Sequence, residues 1–272
     1  MKNISNFLKT FSFVFFLGII SVTVNAQKLP NVQQISLRAP TDIKIDGNAK
    51  EWNNQFQAYN HATNIFYTLS NDDKNLYLAV QESDTVLIAK IMSGGVSLTI
   101  NTSGKKDVKE AANITYPAFE KGAKNRVFIT KAGTDSFATA NNRQLAAKSK
   151  FIRVTGIKGM DTLTSIYNRD GIKAVSLFDN KMGYIYELAI DLSLLGLDTA
   201  NPQKFAYNIA LPGQTSVLEL MSKQLGIPVS AIRVTYIPDP EHPPSTYNPH
   251  NPHGYRINAP TDFWGEYTLA QK

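Results

Sequence analysis

The sequence predicts an all-β protein: an antiparallel β-sandwich with one or two short helices and long loops. Three observations carry the prediction. Short runs of alternating apolar and polar residues recur along most of the chain. Turns rich in Asp, Asn and Gly separate them. No strand–helix–strand rhythm and no internal repeat joins them, which excludes a parallel sheet.

The chain opens on a leader. Lys2 and Lys9 form a positive n-region, Phe11 to Val24 is an uncharged apolar stretch, and Val24-Asn25-Ala26 is a small-residue cleavage site, so residues 1–26 read as a signal peptide cut before Gln27. That stretch is short for a bilayer span, and no transmembrane segment is expected after cleavage. Residues 27–40 are polar and end at Pro40, which predicts a flexible lead-in to a single domain over 41–272.

From Thr41 the strands follow in order. Ile43 and Ile45 alternate with polar residues and run into the Asp46-Gly47 turn, beyond which stands Trp52. Ile65, Tyr67 and Leu69 share one face. After the Asp72-Asp73-Lys74-Asn75 turn, so do Leu76, Leu78 and Val80. Val96, Leu98 and Ile100 follow Gly94-Gly95. Residues 104–170 are less regular and read as a lengthened connection, with strands at Val127–Thr130 and Phe151–Thr155 and a short helix over Asn141–Lys150. Lys173–Phe178 and Tyr184–Asp191 form a hairpin around Asp179-Asn-Lys-Met-Gly183. In the second strand Tyr184, Tyr186, Leu188 and Ile190 point one way, and Glu187 and Asp191 point to what reads as a solvated face.

Leu192–Leu197 is a helical turn, and Phe205, Tyr207, Ile209 and Leu211 line another strand. Ser216 and Glu219 form a capping box for a helix to Leu225, stopped by Gly226 and Pro228. Ile232, Val234 and Tyr236 form a strand, Pro238–Pro260 a Pro/His/Asn loop, and Phe263–Leu269 the closing strand.

Composition narrows the setting. With no cysteine, neither a disulfide nor a lipid-modified N-terminal Cys is available. An exported protein without disulfides fits a bacterial periplasm, cell envelope or exterior. Net charge is +6, and losing Lys2 and Lys9 with the leader leaves +4. No basic run interleaved with aromatics is present, which argues against nucleic acid as a partner. Protein partners are not indicated by any motif.

Three blocks resemble family 9 carbohydrate-binding modules, members of the DOMON-like β-sandwiches. They are Ile45-Asp46-Gly47 with Glu51-Trp52; Asn75–Val80 with Asp84; and the C-terminal set Gly183–Ile190, Phe205–Ile209 and Gly265–Leu269. The resemblance implies a jelly-roll or immunoglobulin-like sandwich and a secreted, non-catalytic module that binds a glycan or another polar ligand at the loop rim near the C-terminal strand. In sugar-binding members a Trp-x-x-Asp-Ser-Val-Glu-like segment enters the strand corresponding to Val96–Ile100. This chain has Ile91-Met92-Ser93-Gly94-Gly95 there, with neither the ring nor the carboxylates. Haem binding, known in some DOMON-like sandwiches, and a structural or interaction role in the envelope are the alternatives.

The residues that bear chemistry each have two readings. The resemblance makes Asp46, Gly47 and Trp52 structural, with Trp52 in the core; an indole there could instead stack on a sugar. Trp264, where the Pro-rich loop enters the last strand, is the better stacking candidate; its other reading is an edge aromatic packed on its own loop. Tyr247, Tyr255, Arg256 and His253 in that loop offer hydrogen bonds and ring faces to a polar ligand. His250 and His253, near Glu241 and His242, are the donor set for a transition metal, but no helix fixes their spacing. Asp72, Asp73 and Asn75 carry calcium-type oxygens, and equally the residues an Asx turn needs. No cofactor is required by any of this. No Gly-x-Ser-x-Gly, His-Glu-x-x-His, phosphate loop or dinucleotide fingerprint occurs, and no carboxylate pair is placed for glycoside hydrolysis, so no enzyme is expected.

Overall fold

The computed structural model describes residues 28–53, 55–119, 137–181, 183–213 and 259–272. These form a sandwich of two antiparallel sheets. The first sheet has the order β1-β2-β3-β9-β8, with β1 Ala58–Asn60, β2 Ile65–Asn71, β3 Asn75–Glu82, β8 Ile172–Phe178 and β9 Tyr184–Asp191. The second has the order β11-β10-β4-β5-β6-β7, with β4 Val96–Asn101, β5 Ala112–Ala118, β6 Phe151–Thr155, β7 Leu163–Ser165, β10 Lys204–Leu211 and β11 Thr261–Thr268.

Period-2 alternation builds the core. Tyr67, Leu69, Leu78, Val80, Tyr186 and Leu188 from the first sheet meet Leu98, Ile100, Ile114, Tyr207, Ile209 and Phe263 from the second in one cluster. Tyr67 and Tyr207 cross between the layers with their hydroxyls 2.9 Å apart. Each of these two buried hydroxyls has a partner, which offsets the cost of taking it out of water.

Two helices are described. Helix α1, Thr85–Gly94, is capped by Asp84, whose carboxylate accepts from the backbone of Val86 and Leu87, and it ends at Gly95 in a positive-φ conformation. Its run Thr85-Val86-Leu87-Ile88 is rich in β-branched residues, which hid a helix that packing stabilises. Helix α2, Phe137–Lys148, sits slightly ahead of the expected Asn141–Lys150 span.

The structure corrects several expectations. The connection over 104–170 contains core elements: β5, β6 and β7 belong to the second sheet, and their irregular alternation reflects the register shift between Thr115 and Ala118. Residues 41–45 form no strand; Ile43 and Ile45 pack instead on the outer face of the first sheet. The lead-in is hydrogen-bonded to the first sheet from Pro30 on. Gln33, buried, donates through its side-chain amide to the Leu69 carbonyl (2.7 Å) and accepts from the Leu69 N–H (2.8 Å), imitating a strand neighbour. Leu37 accepts from the Asn71 N–H, and the Ala39 N–H donates to the Asn71 carbonyl. The polar side chains and backbone of this segment supply bonds to the open edge of β2. The leader, the Val127–Thr130 strand, the Ser216–Leu225 helix and the Ile232–Tyr236 strand lie outside the described residues. Among the described residues, no helix is long and apolar enough to cross a membrane.

One buried side chain grips the backbone just beyond β11 from both sides. Asn71, fully buried, accepts from the Ala270 N–H (2.7 Å) and donates to the Ala270 carbonyl (3.0 Å). Arg38 and Lys272 both pair with Asp73 outside it.

Candidate functional site

The opening motif folds onto one carboxylate. Glu187 lies on the face of β9 away from the main core, and it is 1% exposed because Leu37, Ile43, Ile45, Trp52 and Phe56 cover that face. Its Oε2 accepts from the backbone N–H groups of Asp46 (3.0 Å) and Gly47 (2.8 Å), and its Oε1 faces the Trp52 indole N–H at 3.4 Å. This corrects the solvated reading of Glu187. Trp52 is buried and packs with Ala49, Phe56, Tyr77, Ala79, Ile185 and Ala189. Gly47 has φ +83°, and a Cβ there would sit 2.6 Å from Leu177 Cγ, so the turn has room for glycine alone. Desolvation pushes the Glu187 carboxyl up to about 7, against the donors at Gly47, Asp46 and Trp52, which favour its ionised form.

The Asp72 turn is equally committed. Its Oδ1 accepts from the backbone of Lys74 and Asn75 (both 2.7 Å), and its Oδ2 accepts from the Tyr77 hydroxyl at 2.6 Å. Burial opposes its ionisation, yet these donors, with Tyr77 the strongest, hold it below the usual carboxylate range. This is the Asx-turn geometry. Among the described residues, no group of three His, Asp or Glu side chains is placed to hold a metal.

Trp264 occupies a different environment. Phe263, Gly265 and Tyr267 of β11 face the core, so Trp264 faces outward, and it is half-buried. It stands opposite Asn208 in β10, which stands opposite Thr99 in β4, which stands opposite Asn113 in β5. Asn208 donates to Asp262 (2.6 Å) and Asn113 donates to Ser97 and Thr99 (2.7 and 2.8 Å), so the indole ends a cross-strand row of polar side chains. On its other side the ring lines an open groove of about 520 Å³, walled by the lead-in at Gln34–Ser36 and by Lys106, Lys204 and Glu266. The hydrogen bonds from Lys204 (3.1 Å) and Lys106 (3.3 Å) hold the exposed Glu266 carboxyl below its ordinary range. A flat apolar ring beside several polar side chains is what a saccharide needs, since sugars present C–H faces and hydroxyl edges.

Tyr247, Tyr255, Arg256, His250 and His253 lie outside the described residues. The alternation assigned Phe66 to the solvent side of β2, and an aromatic residue on that side was the available signal for a second exposed ring. Phe66 is 37% exposed, beside the half-buried Tyr59.

No protein-family model matches the sequence, and no curated protein matches it. Among solved structures, a carbohydrate binding module family 9 protein from Caldicellulosiruptor kristjanssonii, in complex with glucose, is similar to the chain at 16% identity, covering 67% of this chain and 79% of that chain, with a TM-score of 0.33.

Proposed function

We propose that this chain is a secreted, non-catalytic β-sandwich of the bacterial cell envelope that binds a glycan in the Trp264 groove. The observation that supports the reading is the outward, half-buried Trp264 lining an open polar groove. Stacking on such a ring and hydrogen bonds from Gln34, Lys106 and Lys204 together recognise a sugar without chemistry on it.

Affinity electrophoresis in gels carrying soluble polysaccharides tests it. The parent is expected to be retarded in at least one gel, and Trp264→Ala to weaken binding by about tenfold, as loss of one stacked ring costs. Equal retardation of the two proteins in every gel would remove the groove from the binding site. Export is checked separately: mass spectrometry of protein secreted from a bacterial host is expected to begin at Gln27, and an intact Met1 in that material would rule out the leader.

A further inference from the structure

We infer that a second saccharide site lies on the far side of the lead-in, on the aromatic strip formed by β1 and β2. Tyr59 and Phe66 are directly opposed across the His61–Asn64 turn, and their ring centroids are 4.6 Å apart. Phe56 continues the strip at 6.3 Å from Phe66, and His61 extends it at 5.1 Å from Tyr59. Phe66 belongs to neither buried cluster, although its neighbour Phe56 does. The strip is held in place: the Tyr59 hydroxyl donates to Asn64 (3.3 Å), and the Tyr59 N–H donates to the Pro30 carbonyl (3.0 Å). A ring set fixed before binding spares a ligand the cost of ordering it.

Two grooves, of about 620 and 720 Å³, meet at Phe66, which lines both. The larger carries Gln55, Gln57 and Gln81, and among the described residues Lys28 is its one charged residue. Amides both donate and accept, which suits hydroxyl groups, and they carry no charge to attract an ion. Ring faces with interspersed amides therefore select a neutral oligosaccharide over an anion or a greasy peptide. In the smaller groove the acids serve the fold: Glu82 accepts from the backbone of Ser83 and Asp84 (both 2.7 Å), and Asp84 caps α1. Gln34 and Ile35 line both the 720 Å³ groove and the Trp264 groove, so a ridge of the lead-in separates the two sites; Ile35 on it is 56% exposed. Two sites on one module let a single polymer be gripped twice.

The test is affinity electrophoresis in hydroxyethylcellulose, xylan and glucomannan gels with the parent, Phe66→Ala, Trp264→Ala and the double variant, each checked for folding by circular dichroism. Phe66→Ala is expected to weaken retention roughly 3- to 10-fold, as one lost stacking contact does, and the double variant to migrate freely. Gln57→Leu, which keeps the ring, is expected to weaken retention in the same direction; it decides the matter if Phe66→Ala does not fold. Loss confined to Trp264→Ala would sink this second site and leave the first. Loss confined to Phe66→Ala would sink the first and leave this one. A parent that enters all three gels unretarded would overturn both. A parent dimer that Phe66→Ala converts to monomer in gel filtration would assign the strip to a second copy of the chain and overturn the saccharide.

Discussion

Replacing Gly265 by alanine is expected to destabilise the protein by about 3 kcal/mol or more, beyond the usual range for a surface-strand substitution. Gly265 lies inside β11 opposite Tyr207 and faces the core. A Cβ there would stand 2.3 Å from Tyr207 Cζ and 2.4 Å from its hydroxyl oxygen. Tyr207 cannot retreat. It is fully buried, its hydroxyl is 2.9 Å from that of Tyr67, and the Gln33 N–H donates to Tyr67 at 2.8 Å. Moving the ring would break the hydroxyl pair that ties the lead-in and both sheets together, and buried hydroxyls without partners cost about 1–3 kcal/mol each. The check is urea denaturation of Gly265→Ala, Tyr207→Leu and the double variant. The glycine substitution should cost far less once the tyrosine is gone, because the two residues then no longer collide. Additive costs would show that Gly265 is needed for something other than room.

The second large effect centres on Glu187. Glu187→Ala is expected to cost roughly 3 kcal/mol, since it leaves the N–H groups of Asp46, Gly47 and Trp52 buried without their acceptor. The pH dependence is sharper evidence. The carboxyl ionises near 7 in the folded protein, against 4.5 for an unperturbed glutamate. A raised folded value means the native state holds the proton more tightly than the unfolded chain. The stabilisation is therefore complete below about pH 4.5 and is lost as pH rises to about 7; across that window it amounts to on the order of 3 kcal/mol. Glu187→Gln keeps an acceptor for the two turn amides and cannot ionise. The stability of the parent minus that of Glu187→Gln should thus fall between pH 4.5 and 7.5, read by denaturation curves at each pH. A difference that stays flat would mean that Glu187 ionises normally in the fold.

These two residues also mark where sequence reading succeeds and stops. Alternation alone assigned Tyr207 to the interior and Glu187 to the opposite face of its strand, and both orientations hold. It could not say what covers the opposite face. The covering layer comes from residues 37–53 and Phe56, which form no strand there, and the alternation of Ile43 and Ile45 does not say which face they cover. The same limit hid α1, whose β-branched residues are held helical by the sandwich end they pack on, and hid β5 and β7 within an irregular stretch.

For the candidate sites the division is similar. Trp264 stood out in the sequence as the tryptophan where the Pro-rich loop enters the last strand, and the structure shows that it faces outward. The groove beside it was not legible, because its walls come from residues 34–36, 106 and 204, far apart in the chain. The Phe66 strip needed the β1–β2 register to bring Tyr59 alongside. The class of the fold and the facing of its strands follow from the residues alone, because side-chain alternation is a local property of extended backbone. Which outward faces are covered and which stay open emerged from the folded arrangement, because covering is done by segments distant in sequence whose pairing no local pattern encodes.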